Sequence, residues 1–289
     1  MQTYLSEMKL IDLESGRIRY IDQGQGESIV LLHGAPVTAL GFSRVIDELK
    51  SHYRVIAPDL PGFGQSIASA NFSGKLQDYS AMVVDFCQRL DLTNVVLYLN
   101  DSSGVIGLGA AVQLRSRVKG LVVASTVKLP IPGFVRFVLA SVVGGSAFRF
   151  LNRKFNLLAR LVASVAPYAT FEFQKRPFTP MERALLIAQF DTESKRDKIT
   201  DVFTQMATQQ HYLSQLDEST KSQLRDVPTL LLYGQFDAMR LIGSVTAFQE
   251  TFRKSTTSII RGEEHFPILG AGRQVAIEIR NWMINTYGN

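Results

Sequence analysis

Short runs of β-branched and aliphatic residues alternate with longer stretches of helical spacing along most of the chain. Residues 28–32, 53–57, 94–99, 120–124, 229–233 and 257–260 are mostly continuous apolar runs, the pattern of strands buried on both faces. Residues 9–12 and 17–21 flank Glu14-Ser15-Gly16 and read as an opening hairpin. Helical spacing fills 43–50, 76–90, 103–117, 245–252 and 273–287. Strands that alternate with helices predict an α/β protein: a mostly parallel central sheet with helices on both faces.

The alternation stops between Pro130 and Arg225. That stretch has no strand-like run and several helical ones, opening at Pro130, Pro132 and Gly133 and closing at Asp226-Val227-Pro228. It is expected to be an inserted helical cap over 131–225, set into a core made of 1–130 and 226–289. In open α/β sheets ligands bind beyond the carboxyl ends of the strands, so a cap there would roof the site.

Three candidate residues follow three of the apolar runs. Asp101 follows Val95-Val96-Leu97-Tyr98-Leu99-Asn100, Asp237 follows Leu231-Leu232-Tyr233-Gly234-Gln235-Phe236, and His265 follows Ile259-Ile260-Arg261-Gly262-Glu263-Glu264. Nucleophile, acid and histidine in that chain order resemble the α/β-hydrolase family. His33-Gly34-Ala35-Pro36 resembles its oxyanion loop. Asp59-Leu60-Pro61-Gly62-Phe63-Gly64-Gln65-Ser66 resembles its turn after the next strand, and Tyr233-Gly234-Gln235-Phe236-Asp237 its acid loop. The resemblance covers nearly the whole chain and implies the α/β-hydrolase fold.

The elbow departs from the usual Gly-x-Ser-x-Gly and reads Leu99-Asn100-Asp101-Ser102-Ser103-Gly104. A sharp turn wants small residues two places on either side of the nucleophile, which favours Ser102 slightly, with Asn100 and Gly104. The helix that follows wants small residues three and six places on. Asp101 has Gly104 and Gly107 there, whereas Ser102 has Val105 and Leu108. The segment also resembles the Asn-Asp-small-small-Gly elbow of the haloalkane dehalogenase and epoxide hydrolase branch. Asp101 is therefore preferred over Ser102, and the plain alternative is an Asp that merely caps the helix.

A carboxylate nucleophile attacks a saturated carbon and leaves an alkyl-enzyme ester. His265 would activate the water that hydrolyses it, and Asp237 would orient the imidazole. The backbone N–H groups of Ala35 and Ser102 are the expected oxyanion hole. The resemblance implies side-chain donors for a departing halide, but the matching positions hold Ser102 and Ala35, and the only tryptophan is Trp282 in the last helix. Epoxide hydrolases of this branch use two cap tyrosines, and 131–225 contains Tyr168 and Tyr212. An epoxide-hydrolase-like reaction on a small apolar substrate is thus expected before dehalogenation, with Tyr168, Tyr212, Phe42 and Phe266 as candidate substrate contacts. A serine esterase or lactonase built on Ser102, or a non-catalytic binding protein, are the alternatives. No cofactor, metal or nucleic acid is expected.

The 289 residues are 46% apolar and carry a formal charge of +5. The stretch 131–225 holds 13 Lys and Arg against 8 Asp and Glu and accounts for the whole excess. Its first forty residues carry Arg136, Arg149, Arg153, Lys154 and Arg160 with no acid before Glu172. That run reads as a solvated face or as a weak contact with an anionic membrane surface. The longest uncharged apolar stretch, 137–148, is shorter than the roughly 20 residues of a membrane span. The amino end shows no secretory pattern, and a cytoplasmic protein with one unpaired cysteine, Cys87, is expected.

Overall fold

The computed structural model describes residues 2–157 and 179–288. Its sheet runs in the order β1-β2-β4-β3-β6-β7-β8-β9. The strands are β1 (Lys9–Leu13), β2 (Gly16–Gln23), β3 (Ser28–Leu32), β4 (Arg54–Pro58), β5 (Ile67–Ala68), β6 (Val95–Asn100), β7 (Val118–Ala124), β8 (Thr229–Gly234) and β9 (Ser255–Ile260). β1 and β2 form the expected antiparallel hairpin, and β2 runs antiparallel to β4 and to the two-residue β5. From β4 through β3, β6, β7 and β8 to β9 every pairing is parallel.

Alternate residues of the central strands feed two separate apolar layers, because successive side chains of a strand point to opposite faces. Leu32, Leu97, Leu99, Val123, Leu231 and Tyr233 pack on one side. Against them lie α3 (Leu76–Arg89) and α4 (Ser103–Gln113). Leu31, Val96, Tyr98, Val122 and Leu232 pack on the other. There they meet α2 (Ser43–Leu49) and the carboxyl-terminal helix Gly272–Tyr287. That last helix buries Val275, Ala276, Ile279, Trp282 and Met283, the stripe an amphipathic helix turns inward. α1 (Gln2–Glu7), ahead of the hairpin, is not foreseen by the sequence pattern; Tyr4 on it is buried and donates to Asp47 Oδ1 at 2.6 Å.

Between β7 and β8 the described residues contain no strand. They form α5 (Gly133–Phe137), the wide helical turns Val138–Val143, α6 (Ser146–Phe155), α7 (Pro180–Ile187), α8 (Glu193–Thr208) and α9 (Gln210–Gln223). Parts of this stretch rest on loops at the carboxyl ends of β3 and β4. α7 meets the short turn Ala39–Phe42 after β3. The Gly64 N–H donates to Gln189 Oε1 at 3.0 Å after β4. α9 differs from the rest: it packs along α4 with Leu213 and Leu216 buried, so it belongs to the covering of the sheet face. Among the described residues no single helix is long and apolar enough to cross a membrane.

Candidate active site

β6 is buried along its whole length and ends in a turn at Asp101, whose φ of 52° lies in the left-handed region. Asp tolerates that region better than most residues with a side chain. The Ser103 hydroxyl braces the turn, accepting the Asn100 N–H at 2.8 Å and lying 2.8 Å from the Leu32 carbonyl. Leu99 is bulky where the turn wants a small residue, and Gly107 resolves the conflict. A Cβ on Gly107 would collide with Leu99 Cδ2, so the leucine fills a notch that only glycine leaves. A Cβ on Gly104 would collide with Thr126 Cγ2, on the neighbouring loop. The two glycines expected three and six places after Asp101 are thus points where α4 meets its surroundings most closely.

β8 and β9 deliver the other two groups. The Gln235 N–H donates to the Ile260 carbonyl at 2.9 Å and the Phe236 N–H to the Glu263 carbonyl at 3.0 Å. These bonds stitch the acid loop to the histidine loop. A Cβ on Gly234 would run into the Glu264 carbonyl oxygen, so this approach requires glycine. Asp237 is fully buried, and its Oδ1 accepts from the Met239 N–H at 2.8 Å and faces His265 Nδ1 at 3.0 Å. His265 Nε2 lies 3.2 Å from Asp101 Oδ1. The chain thus brings Asp101, Asp237 and His265 into one hydrogen-bonded line at the carboxyl ends of the parallel strands. Burial works to lower the His265 pKa, but the Asp237 and Asp101 carboxylates outweigh it and hold the pKa up to about 10.

The loop after β3 backs the elbow. Gly34 lies so close that a Cβ there would be 2.5 Å from Asp101 Oδ2. His33 is fully buried; its Nε2 accepts the Leu60 N–H at 3.0 Å and its Nδ1 lies 3.1 Å from the Gly34 carbonyl. Burial, against the pull of that carbonyl and of Asp101, lowers its pKa to about 4. His33 is therefore a neutral staple between two loops. Asp59 is a second staple, accepting the Ala39 N–H at 2.9 Å and the Gln65 N–H at 2.8 Å. Burial raises its pKa to about 6, with the two N–H bonds opposing.

The remaining candidates separate. Ala35 and Ser102 lie together: the Ala35 N–H donates to Ser102 Oγ at 3.0 Å. Sequence spacing points to their backbone groups and gives no sign of this side-chain bond. Phe266 stands on His265, ring centroids 4.8 Å apart. Phe42 is not brought to the triad; it is buried in the layer of α2, edge-on to Tyr98 at 5.4 Å. Nor is Tyr212, whose hydroxyl meets Ser80 Oγ at 3.4 Å where α9 crosses α3 and α4 beside Gly109. Tyr168 lies outside the described residues. Trp282 packs on Tyr287 in the carboxyl-terminal helix. A cavity of about 500 Å³ edged by Lys128, Arg225 and Glu250 contains none of the triad.

Comparison with known proteins identifies the fold family. The family model for the alpha/beta hydrolase fold matches residues 27–271. Haloalkane dehalogenase 2 of Mycobacterium tuberculosis is 25% identical over 268 residues, covering 92% of this chain and 91% of its own. A cis-3-alkyl-4-alkyloxetan-2-one decarboxylase of Shewanella oneidensis is 24% identical over 280 residues, covering 93% and 86%. Among solved structures, the haloalkane dehalogenase DatA from Agrobacterium tumefaciens superposes with a TM-score of 0.80 at 21% identity, covering 96% of this chain and 97% of its own. The epoxide hydrolase CorEH superposes with a TM-score of 0.77 at 18% identity, covering 96% and 98%.

Proposed function

The chain belongs to the alpha/beta hydrolase fold family and is a hydrolase, and from that premise we propose that it works through an ester on Asp101. The observation that carries this reading is the pairing of a left-handed φ of 52° at Asp101 with Oδ1 standing 3.2 Å from His265 Nε2. Ser102 Oγ is instead held by the Ala35 N–H, which favours Asp101 over Ser102 as nucleophile.

Both ring nitrogens of His265 face carboxylate oxygens, which can only accept, so each nitrogen carries a hydrogen. The resting site is then an imidazolium between two carboxylates. Asp101 Oδ1 attacks an epoxide carbon, the carbon–oxygen bond of the ring breaks, and the alkoxide takes the proton from His265 Nε2. Esterification removes the Asp101 charge, one of the two that hold this proton, so the neutral imidazole becomes a competent base. It takes a proton from water, whose oxygen adds to Cγ of Asp101. The oxyanion gathers on Oδ2, against the Gly34–Ala35 loop and the amino end of α4. Its collapse breaks the bond to the product oxygen, which leaves with the proton of the newly formed Asp101 acid. Asp101 is again a carboxylate and His265 again an imidazolium.

A resting imidazolium suits a leaving group that needs a proton, which favours epoxides over halides. Ala35 and Ser102 stand where dehalogenases of the family offer side-chain donors to a halide. Tyr212 points its hydroxyl at Ser80, so in this reading His265 is the acid for the opening ring. A panel of terminal epoxides, alkyl bromides and short esters tests it. Epoxide turnover lost in Asp101→Asn supports the proposal; ester turnover lost only in Ser102→Ala ends it.

The helices α5 to α8 are the proposed cap over this site, with α9 left to the sheet face, and a weak anionic membrane contact belongs to the same proposal. Phe134, Phe137, Phe150 and Phe155 are exposed on α5 and α6. Arg149 pairs with Asp201 at 2.5 Å, and Arg153 and Lys154 pair with Glu193 at 2.9 and 3.2 Å. These pairs neutralise much of the positive charge, so the contact is expected to depend more on the phenylalanines than on the cations.

A further inference from the structure

The chain passes between the sheet and the helical stretch twice, and one cavity lies where the two crossings meet the helix Ser244–Thr251. Lys128 and Leu129 belong to the outgoing crossing after β7. Lys221 and Arg225 stand at and just past the end of α9, on the returning one, and Glu250 comes from the helix. These residues line the cavity of about 500 Å³. Its charges are unbalanced, because three cations share the wall with one carboxylate. Lys221 is answered by Asp217 on its own helix at 2.6 Å. Lys128, Arg225 and Glu250 have no ion-pair partner among the described residues, so the acid stands beyond pairing distance of the cations that share its cavity. Cations near the carboxyl end of a helix complement its dipole, which accounts for Lys221 and Arg225 but not for Lys128. A Cβ on Gly243 would be 3.4 Å from Lys128 Nζ, so the ammonium lies beside the amino end of the helix Ser244–Thr251. A cation at that positive end is unfavourable, and a four-carbon stem leaves it free to turn into the cavity.

We propose that this cavity is a binding site for a small organic phosphate that bears hydroxyl groups, separate from the triad. A phosphate monoester brings close to two negative charges and three strong acceptor oxygens. Arg225 can take two of those oxygens as a fork while a lysine takes the third. A carboxylate has one charge and two oxygens and would leave a cation unanswered. Glu250 repels a bare anion but accepts a hydrogen bond from a hydroxyl on the carbon skeleton of the ester. Leu129 and Ala247 give that skeleton an apolar edge. The volume falls in the range of small-molecule sites. A bound ligand would draw both crossings onto one helix, to which the Lys128 N–H already donates through Ser244 Oγ at 3.0 Å. The proposal does not depend on Asp101 as nucleophile.

Titration calorimetry of the whole chain with glucose 6-phosphate, inorganic phosphate and glucose tests it. Glucose 6-phosphate is expected to bind with a Kd of about 1 mM or tighter, inorganic phosphate about 10-fold more weakly, and glucose not detectably. Arg225→Gln should weaken the sugar phosphate about 10-fold, the effect of one lost charge-assisted contact. Arg225→Gln combined with Lys128→Gln should abolish binding. Glu250→Gln removes a repulsion and should tighten inorganic phosphate about 3-fold. Lys154→Ala, which alters a cation outside the cavity, should leave every titration unchanged. The sugar phosphate should raise the melting temperature of the native chain and not that of the double variant, whose own melt shows that it folds. It should also shift the backbone amide resonances of Ala247 and Thr251, which line the cavity. Absence of glucose 6-phosphate binding up to about 10 mM would overturn the proposal. So would an equal loss in Lys154→Ala, or glucose binding as tightly as its phosphate.

Discussion

The carboxyl ends of the sheet and the helical stretch between β7 and β8 are held together by different means. At the strand ends, fully buried backbone and glycine notches hold Asp101, Asp237 and His265 within 3.2 Å of their partners. In the helical stretch, α6 is tied to α8 by exposed ion pairs, and Phe134 stays 76% and Phe155 56% exposed. Exposed pairs contribute about 0–1 kcal/mol each, whereas a side chain that cannot fit beside Gly104 or Gly107 disturbs a close-packed interior. Under the proposed mechanism this difference is a division of labour: the rigid sheet would fix the reacting atoms, and the helices would be left to choose what reaches them.

The sharpest way to break that division is at the nucleophile. Asp101→Asn keeps a residue that tolerates the left-handed turn, so the fold should survive while turnover falls by about 10⁴-fold or more; steady-state rates beside a circular-dichroism melt check both. Asp237→Asn should cost on the order of 10³–10⁴-fold, since it frees the imidazole and removes the charge that holds its proton.

The same pairing sets a pH window. The folded His265 pKa of about 10 lies above its ordinary value of 6.5. The stabilisation from its charged form is therefore complete below 6.5 and lost as pH rises through 10. The melting temperature should decline across that window, and Asp101→Asn should flatten the decline. Epoxide turnover, which needs the proton, should fall above pH 10, whereas attack on an alkyl bromide should not. Coincident profiles for the two substrates would remove His265 as the acid.

A smaller effect belongs to the packing beneath the elbow. Gly104→Ala drives a methyl into Thr126 Cγ2 and should destabilise by about 1–3 kcal/mol, read as a lower melting temperature. The smallest belongs to the helices. Tyr212→Phe removes a hydroxyl that meets Ser80, away from the triad, and should cost at most about 1 kcal/mol of stability with turnover unchanged. A large loss of epoxide turnover in Tyr212→Phe would show that α9 swings its tyrosine into the site. Sedimentation with acidic vesicles should reveal weak binding that Phe150→Ser reduces more than Lys154→Ala; no binding would end the membrane contact.

How much of this was legible in the sequence follows the same division. The strands were readable because double-sided burial leaves a local mark, as in Val95-Val96-Leu97-Tyr98-Leu99. The line of Asp101, Asp237 and His265 was readable because each stands just past a strand of one parallel sheet. Gly104 and Gly107 could be picked out by spacing, though the reason for Gly107 is Leu99, a partner eight residues back. Pattern does not say where Phe42 and Tyr212 lie, because an aromatic in an apolar run carries no sign of which layer will claim it. The Ser102–Ala35 bond joins residues 67 positions apart, and nothing local announces it. β5 was missed because two residues are too few to set a period.

Single turnover in heavy-oxygen water tests the ester on Asp101 most directly. With styrene oxide and enzyme in excess, water attacks Cγ of Asp101, so the heavy oxygen should appear in the peptide containing Asp101 and the first product should carry oxygen from the enzyme. Heavy oxygen found only in the product, with the Asp101 peptide unlabelled, would contradict the ester and return the reaction to direct attack by water on the substrate.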